Sequence, residues 1–536
     1  MMKLLRLAMI VLLAAPVFAT TYYVNGSTGS NSNTCVQAQS TSTPKLTIQT
    51  GGISCMGTAD TVVVYAGTYS ESLTVPAGAG SGSYNTVTIN GSDAVTVTGS
   101  ITMASHTKVN GFASTGCFAT GASTDAYITN NKILSGCSGT KIDVAAGATF
   151  IYIQNNTLAG PCGGCDGVRV QGSHVLIENN DISRYRLGVN CYCSFTNTRN
   201  NTFHDQYETD SGQHTDAWFA EPDSGHVQAA QFNVIEANYQ TNAIGANAKG
   251  FLFQGDACGA NCFNAIVRFN SAYHIGGTYT TNDLTTFNFV KEYNNTWVDT
   301  RFNGYSGFFT NYYVNSNASD LNSIFYYPAS VNNFNPYACD SSVCASMTYG
   351  HALFWCTGTC GTIFGHQYNS GSWLSDPGNK TTDPLFINYS TQNFHLQSGS
   401  PAIAAGTFLT TVAAGDSGSG TSLVVADASY LQDGMGLQNP NSTVQGDCIS
   451  VTTVGNHVCI TAVNYSTNTL TMASGFSRSV GDSVWLYSKS DGTVVLTGTA
   501  PDMGAYPYSA SGPPAPSGSL MIMIAGDYDP LQLGSQ

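Results

Sequence analysis

Short runs of alternating apolar and polar residues recur along the middle of the chain, and each closes on asparagine. AYITNNKIL, IYIQNNTLA, VLIENNDIS, TNTRNNTFH and VKEYNNTWV carry the pairs Asn130-Asn131, Asn155-Asn156, Asn179-Asn180, Asn200-Asn201 and Asn294-Asn295. Looser copies end at Asn238 and Asn270. Counted from the second Asn, the steps are 25, 24, 21, 37, 32 and 25 residues. A period of two within each copy predicts a half-buried strand, and a single strand per repeat predicts a solenoid of stacked short strands rather than helix pairs. Coils stack at about 4.8 Å, so an Asn at the same turn of every coil can pass its amide N–H to the next Asn carbonyl. Asn also tolerates the left-handed conformation of tight turns. The pairs therefore read as structural ladder residues, and the irregular steps mark where other features sit.

The pattern divides the chain. Residues 1–19 read as a signal peptide, with Lys3 and Arg6, an apolar run Leu7 to Ala15, and the small-residue site Val17-Phe18-Ala19. Residues 20–407 carry the strand pattern of the solenoid. Residues 408–497 change texture, with Gly/Ser turns around alternating strands such as Thr469-Leu470-Thr471-Met472, and read as a small inserted β domain. Residues 498–508 close the solenoid, and 509–536 form a linker and tail whose apolar patch is too short to span a bilayer. The fold class expected is all-β.

Composition sharpens this. Only 9% of the residues are charged, which alone suggests disorder, but 42% hydrophobic and 11% aromatic residues supply a packed core. The net charge of −15 disfavours nucleic acid and anionic membranes as partners. Sixteen Cys fall into eight sequence-local pairs: 35/55, 117/137, 162/165, 191/193, 258/262, 339/344, 356/360 and 448/459. With a signal peptide this predicts loop-stapling disulfides and a secreted, periplasmic or cell-surface location. Cys162, Cys165, Cys191 and Cys193 lie about one coil apart, so cross-pairing or a tetrathiolate zinc site stays open.

Several segments point to a family. The opening Thr21-Tyr22-Tyr23-Val24-Asn25, the turn Gly67-Thr68-Tyr69, the Asn-pair coils, DPLF with NFHLQSGSPAI, and the close PDMGAY together resemble secreted right-handed parallel β-helix proteins of the pectate-lyase-like superfamily. The resemblance covers about residues 20–407 and 498–508. It implies a right-handed parallel β-helix, and it reaches polysaccharide lyases, glycoside hydrolases, epimerases and proteins of other roles. In resembling proteins the closing motifs usually run together, so the segment 408–497 is a departure.

Candidate chemistry clusters where the period stretches. Residues 204–226 hold three of the ten His and six acidic residues. Long insertions at one level of a solenoid form groove walls. His214-Thr215-Asp216 looks like the HTD element found before a strand in this group. His214, Asp216 and Trp218 would share one strand face, where an indole stacks on a sugar and the polar pair handles protons. The bland alternative is a His–Asp bond that orders a loop.

As a lyase, the chain needs a cation and a base. Lys249, Arg268 and Lys291 are the candidates, with Asp216, Glu236 and Asp256 as ligands should Ca²⁺ take part. As a hydrolase, it needs two carboxyl groups about 5–5.5 Å apart for retention or about 6.5–9.5 Å apart for inversion. Asp216 with Glu221, Asp223 or Asp256 would serve, and His204 would join the substrate contacts. Lys and Arg on such surfaces are more often simply solvated. The expectation is a secreted, monomeric, carbohydrate-active protein that cleaves polysaccharide along a groove. The alternative is a non-catalytic glycan-binding or adhesin-like β-helix.

Overall fold

The computed structural model describes residues 19–134, 136–137, 139–206, 215–220, 231–243, 248–253, 262–275, 280–281, 287–300, 306–311, 319–329, 331–339, 348–363, 376–437 and 444–509. Residues 1–18 of the expected signal peptide and 510–536 of the tail lie outside them. The chain winds into a parallel β-helix. One wall is a 13-stranded sheet running from Thr21–Val24 to Thr348–Gly350, with every neighbouring pair parallel. A second, 18-stranded sheet forms the remaining walls, and the long strands Thr157–Val170 and Asp181–Cys191 bend around a corner within it.

Alternation places one residue column inside. Val62, Val87, Val109, Ile128, Ile153 and Ile177 follow one another in register, and all are fully buried. Leu158, Ile182 and Phe203 face them from the second sheet. Burying a whole column of branched side chains is the dominant stabilising term of such a fold.

The paired asparagines split two tasks. The first member turns the chain: Asn130, Asn155, Asn179, Asn200 and Asn294 all take φ of 56–57°. Ala237 and Phe269 hold the same conformation in the looser copies. The second member makes the ladder. Asn156 Nδ2 donates to Asn180 Oδ1 at 3.0 Å, Asn180 to Asn201 at 2.9 Å, and Asn201 to Asn238 at 3.0 Å. Each ladder carbonyl also accepts a backbone N–H, as Asn180 Oδ1 does from Asn156 at 2.9 Å. The ladder crosses the 37- and 32-residue steps unbroken through Asn238 and Asn270, so the extra residues leave the coil elsewhere.

An antiparallel six-stranded sheet departs from the solenoid. Its strands are ordered Thr410–Thr411, Ser483–Ser488, Cys448–Val451, His457–Asn464, Thr469–Met472 and Ser422–Val424. It packs on the outer face of the 13-stranded wall, where Tyr152, Leu176, Val234, Ile266 and Tyr293 share a core with Leu431, Ile449, Ile460 and Leu470. Residues after it return to the solenoid. Met503 donates to the Ala402 carbonyl and Gly504 to that of Asn322. Gly504 sits at φ 89°, and a Cβ there would meet Ile324 Cδ1 at 2.7 Å, which explains glycine in the closing motif.

Cys35–Cys55, Cys117–Cys137, Cys191–Cys193 and Cys448–Cys459 are bonded as the spacing predicts. Because Cys191 bonds Cys193, the cross-paired and tetrathiolate alternatives are ruled out. Among the described residues no helix is long and apolar enough to cross a membrane.

Candidate functional site

Of the expected site residues that are described, Asp216 and Trp218 do not form an outward strip, since both are fully buried. His214, Glu221, Asp223 and Asp256 lie outside the described residues. Asp216 and Lys249 do stand next to each other in register, on strands Thr215–Ala220 and Ala248–Phe253. Asp216 is fully buried, and its backbone carbonyl accepts Gln206 Nε2 at 2.7 Å.

Trp218 corrects the stacking expectation. It is fully buried in the solenoid core, in register with Val189 and Phe251. The strand passes a corner here: Ala217 and Trp218 both join the core, so simple alternation fails. A ring inside the coil cannot stack on a sugar.

Arg268 is also corrected. It is fully buried, with its guanidinium on Glu236 and, at 2.7 Å twice, on Asp447 of the inserted sheet. Asp447 fastens the insert rather than leaving Arg268 to a substrate. Glu236 is held in the same pairing, and Lys291 pairs with Asp427 of the insert at 2.9 Å. These groups are docking contacts, and the sequence could not reveal that a distant segment covers them.

His204 stands on another limb of the second sheet, in register with Ser183 and Thr241 rather than with the Asp216 column. Its two ring nitrogens lie 2.7 Å from Asp181 and 2.7 Å from Asp205. Burial alone would lower its pKa, but the two carboxylates carry it up to about 9.

A cleft of about 620 Å³ opens instead a few coils earlier, on the outer face of the second sheet. Asp143, Asp166, Arg169, Arg186, Asn190 and Tyr192 line it. The coil register stacks Asp143 on Arg169 and Arg169 on Asn190. Arg169 grips Asp143 with two bonds of 2.9 and 2.7 Å. Such planar two-pronged pairs are the strong form of charged hydrogen bond. Asp166 lies on the next coil from Asp143. It accepts Asn190 Nδ2 at 2.8 Å, and Arg186 approaches it to 3.5 Å. Burial nevertheless dominates and raises the Asp166 carboxyl above its ordinary value, against the pull of Asn190, Arg186 and Arg169. The column of Asp166 continues through Leu187 to Asp216 and Lys249, so the expected residues lie along the same wall.

Sequence reasoning passed over these residues because they sit in coils of regular length. A usable signal was present: in a chain with few charges, Asp143, Asp166, Arg169 and Arg186 fall on three successive coils. Among the described residues no group of three potential metal ligands gathers.

No protein-family model matches the chain, and no curated protein sequence does. Among solved structures it is similar to pectate lyase Pel9A, at 15% identity and TM-score 0.43, covering 73% of this chain and 92% of that one. A complex of XylC with xylose matches at 10% identity and TM-score 0.48, covering 89% and 98%. PfbA, a surface adhesin of Streptococcus pneumoniae, matches at 11% identity and TM-score 0.37, covering 64% and 91%. The parallel register of its stacked coils makes the chain a parallel β-helix.

Proposed function

We propose that the chain is a secreted carbohydrate-active protein that hydrolyses polysaccharide in the cleft lined by Asp143, Asp166, Arg169 and Arg186. One observation carries this reading: two carboxyl groups on adjacent coils line one cleft in different electrostatic settings. Asp166 is favoured in its protonated form by burial, the form that donates a proton to a leaving glycosidic oxygen. Asp143, held by Arg169, is the partner carboxylate. Arg169 is engaged with Asp143, which weighs against its neutralising a uronate as a lyase requires. The disulfides favour an oxidising compartment.

The test is a glycan panel read for new reducing ends and for the ultraviolet absorbance of unsaturated uronates. Reducing ends without that absorbance are expected. Asp166→Asn should then lower kcat about a hundredfold or more. Wild-type activity should fall as pH rises through the raised Asp166 pKa, because the acid form is lost. Unsaturated products would establish a lyase instead. Retained binding with no turnover would establish the adhesin-like alternative.

A further inference from the structure

We infer that Tyr192 is a sugar-stacking platform in this cleft, held in position by the Cys191–Cys193 disulfide that closes around it; the inference rests on the cleft being the glycan site proposed above. Strand alternation turns Cys191 and Cys193 inward, and both are fully buried in the solenoid core. Tyr192, between them, faces outward and lines the cleft. Its backbone N–H donates to the Val170 carbonyl of the preceding coil at 2.8 Å. Asp143 and Arg169, joined by their two-bond pair, line the same cleft as Tyr192.

The cross-link is not needed to fill the core. In the coil above, Val170 occupies the position of Cys191 and is equally buried without any bond. What the disulfide adds is specific to Tyr192. It spans a sequence separation of 2, so the backbone on both sides of the tyrosine is tied into one small ring. That ring limits the backbone freedom of the residue from which the aromatic side chain projects. Phe118, the other aromatic residue lining the cleft among the described residues, is fully buried and belongs to the core. Tyr192 is only partly buried. Its flat apolar face with a polar tip suits the CH-rich face of a pyranose.

The experiment uses the full chain and an array of neutral and uronate-containing oligosaccharides. The oligosaccharide bound best is then titrated against variants whose fold is checked by circular dichroism. Tyr192→Ala should weaken Kd about tenfold, the size of one lost ring contact. Tyr192→Phe should keep the wild-type Kd, because stacking survives loss of the hydroxyl. Replacing both cysteines (Cys191→Val with Cys193→Ala, which keeps the core apolar) should weaken Kd by a smaller factor. The same pair should change nothing further in the Tyr192→Ala background, because the disulfide acts through the ring.

A wild-type Kd for Tyr192→Ala, or a loss in Tyr192→Phe equal to that in Tyr192→Ala, overturns the platform. A cysteine effect that persists in full without the ring overturns the positioning role. If glycan turnover depends on Asp166 while Kd ignores Tyr192, only this inference fails. If no oligosaccharide binds, the cleft reading fails with it.

Discussion

His204 shows what the neighbours of a side chain add to a reading from composition. In the sequence it belongs to a His-rich insertion and suggests substrate contact. In the fold it bridges Asp181 and Asp205, and its pKa rises to about 9. The folded value lies above the unfolded one of about 6.5. Its stabilisation is therefore complete below about pH 6.5 and is lost as pH rises through about 9. Thermal melts across that window should show wild type losing stability relative to His204→Ala, with the gap narrowing toward alkaline pH. A constant gap would mean that the His contributes through packing alone. Trp218 carries the matching lesson for burial: the strand corner turned an expected sugar platform into core.

At the scale of the element, the Asn pair is two devices joined. The first Asn adopts the left-handed turn, and the second satisfies buried backbone groups of its neighbours. Asn180 accepts from the Asn156 backbone and donates to both Asn201 and the Ile153 carbonyl. Asn180→Ala leaves those partners buried and unmatched, at a cost of about 1–3 kcal/mol for each group. Asn179→Gly, which keeps a left-handed turn accessible, should cost far less. Equilibrium denaturation of the two variants checks the division, and equal losses would refute it. This part of the fold was legible in the sequence, because a ladder needs the same residue type at the same turn of every coil.

At the scale of the whole molecule, the inserted sheet is clamped to the solenoid. Outward positions of the 13-stranded wall stack Glu178, Arg199, Glu236 and Arg268 in register, alternating in charge. The insert closes over this column with Asp447 on Arg268 and Ser490 on Arg199 and Glu236. Breaking one side of a buried pair leaves the other charge stranded in a dry interface. Asp447→Ala should therefore destabilise the fold by roughly 3–5 kcal/mol and expose the insert to limited proteolysis, whereas replacing Arg268 and Asp447 together by Met and Leu should recover most of the loss. Full loss in the double variant would show that the charges themselves hold the insert.

By itself the sequence determined the coil. Period-two alternation and a repeated Asn are local instructions, each readable within one turn of chain, and they dictate stacked parallel strands whatever lies beyond. Local cysteine spacing likewise determined the disulfides Cys35–Cys55, Cys117–Cys137, Cys191–Cys193 and Cys448–Cys459. Tertiary structure alone decided which charged residues reach solvent. Arg268, Glu236 and Lys291 lie on outward strand positions and would be exposed on a bare solenoid, but a segment more than a hundred residues later covers them. Asp143, Asp166, Arg169 and Tyr192 come from three coils of ordinary length, and only stacking brings them to one cleft. Burial and proximity are properties of the assembled stack, so the chemistry they create is visible only there.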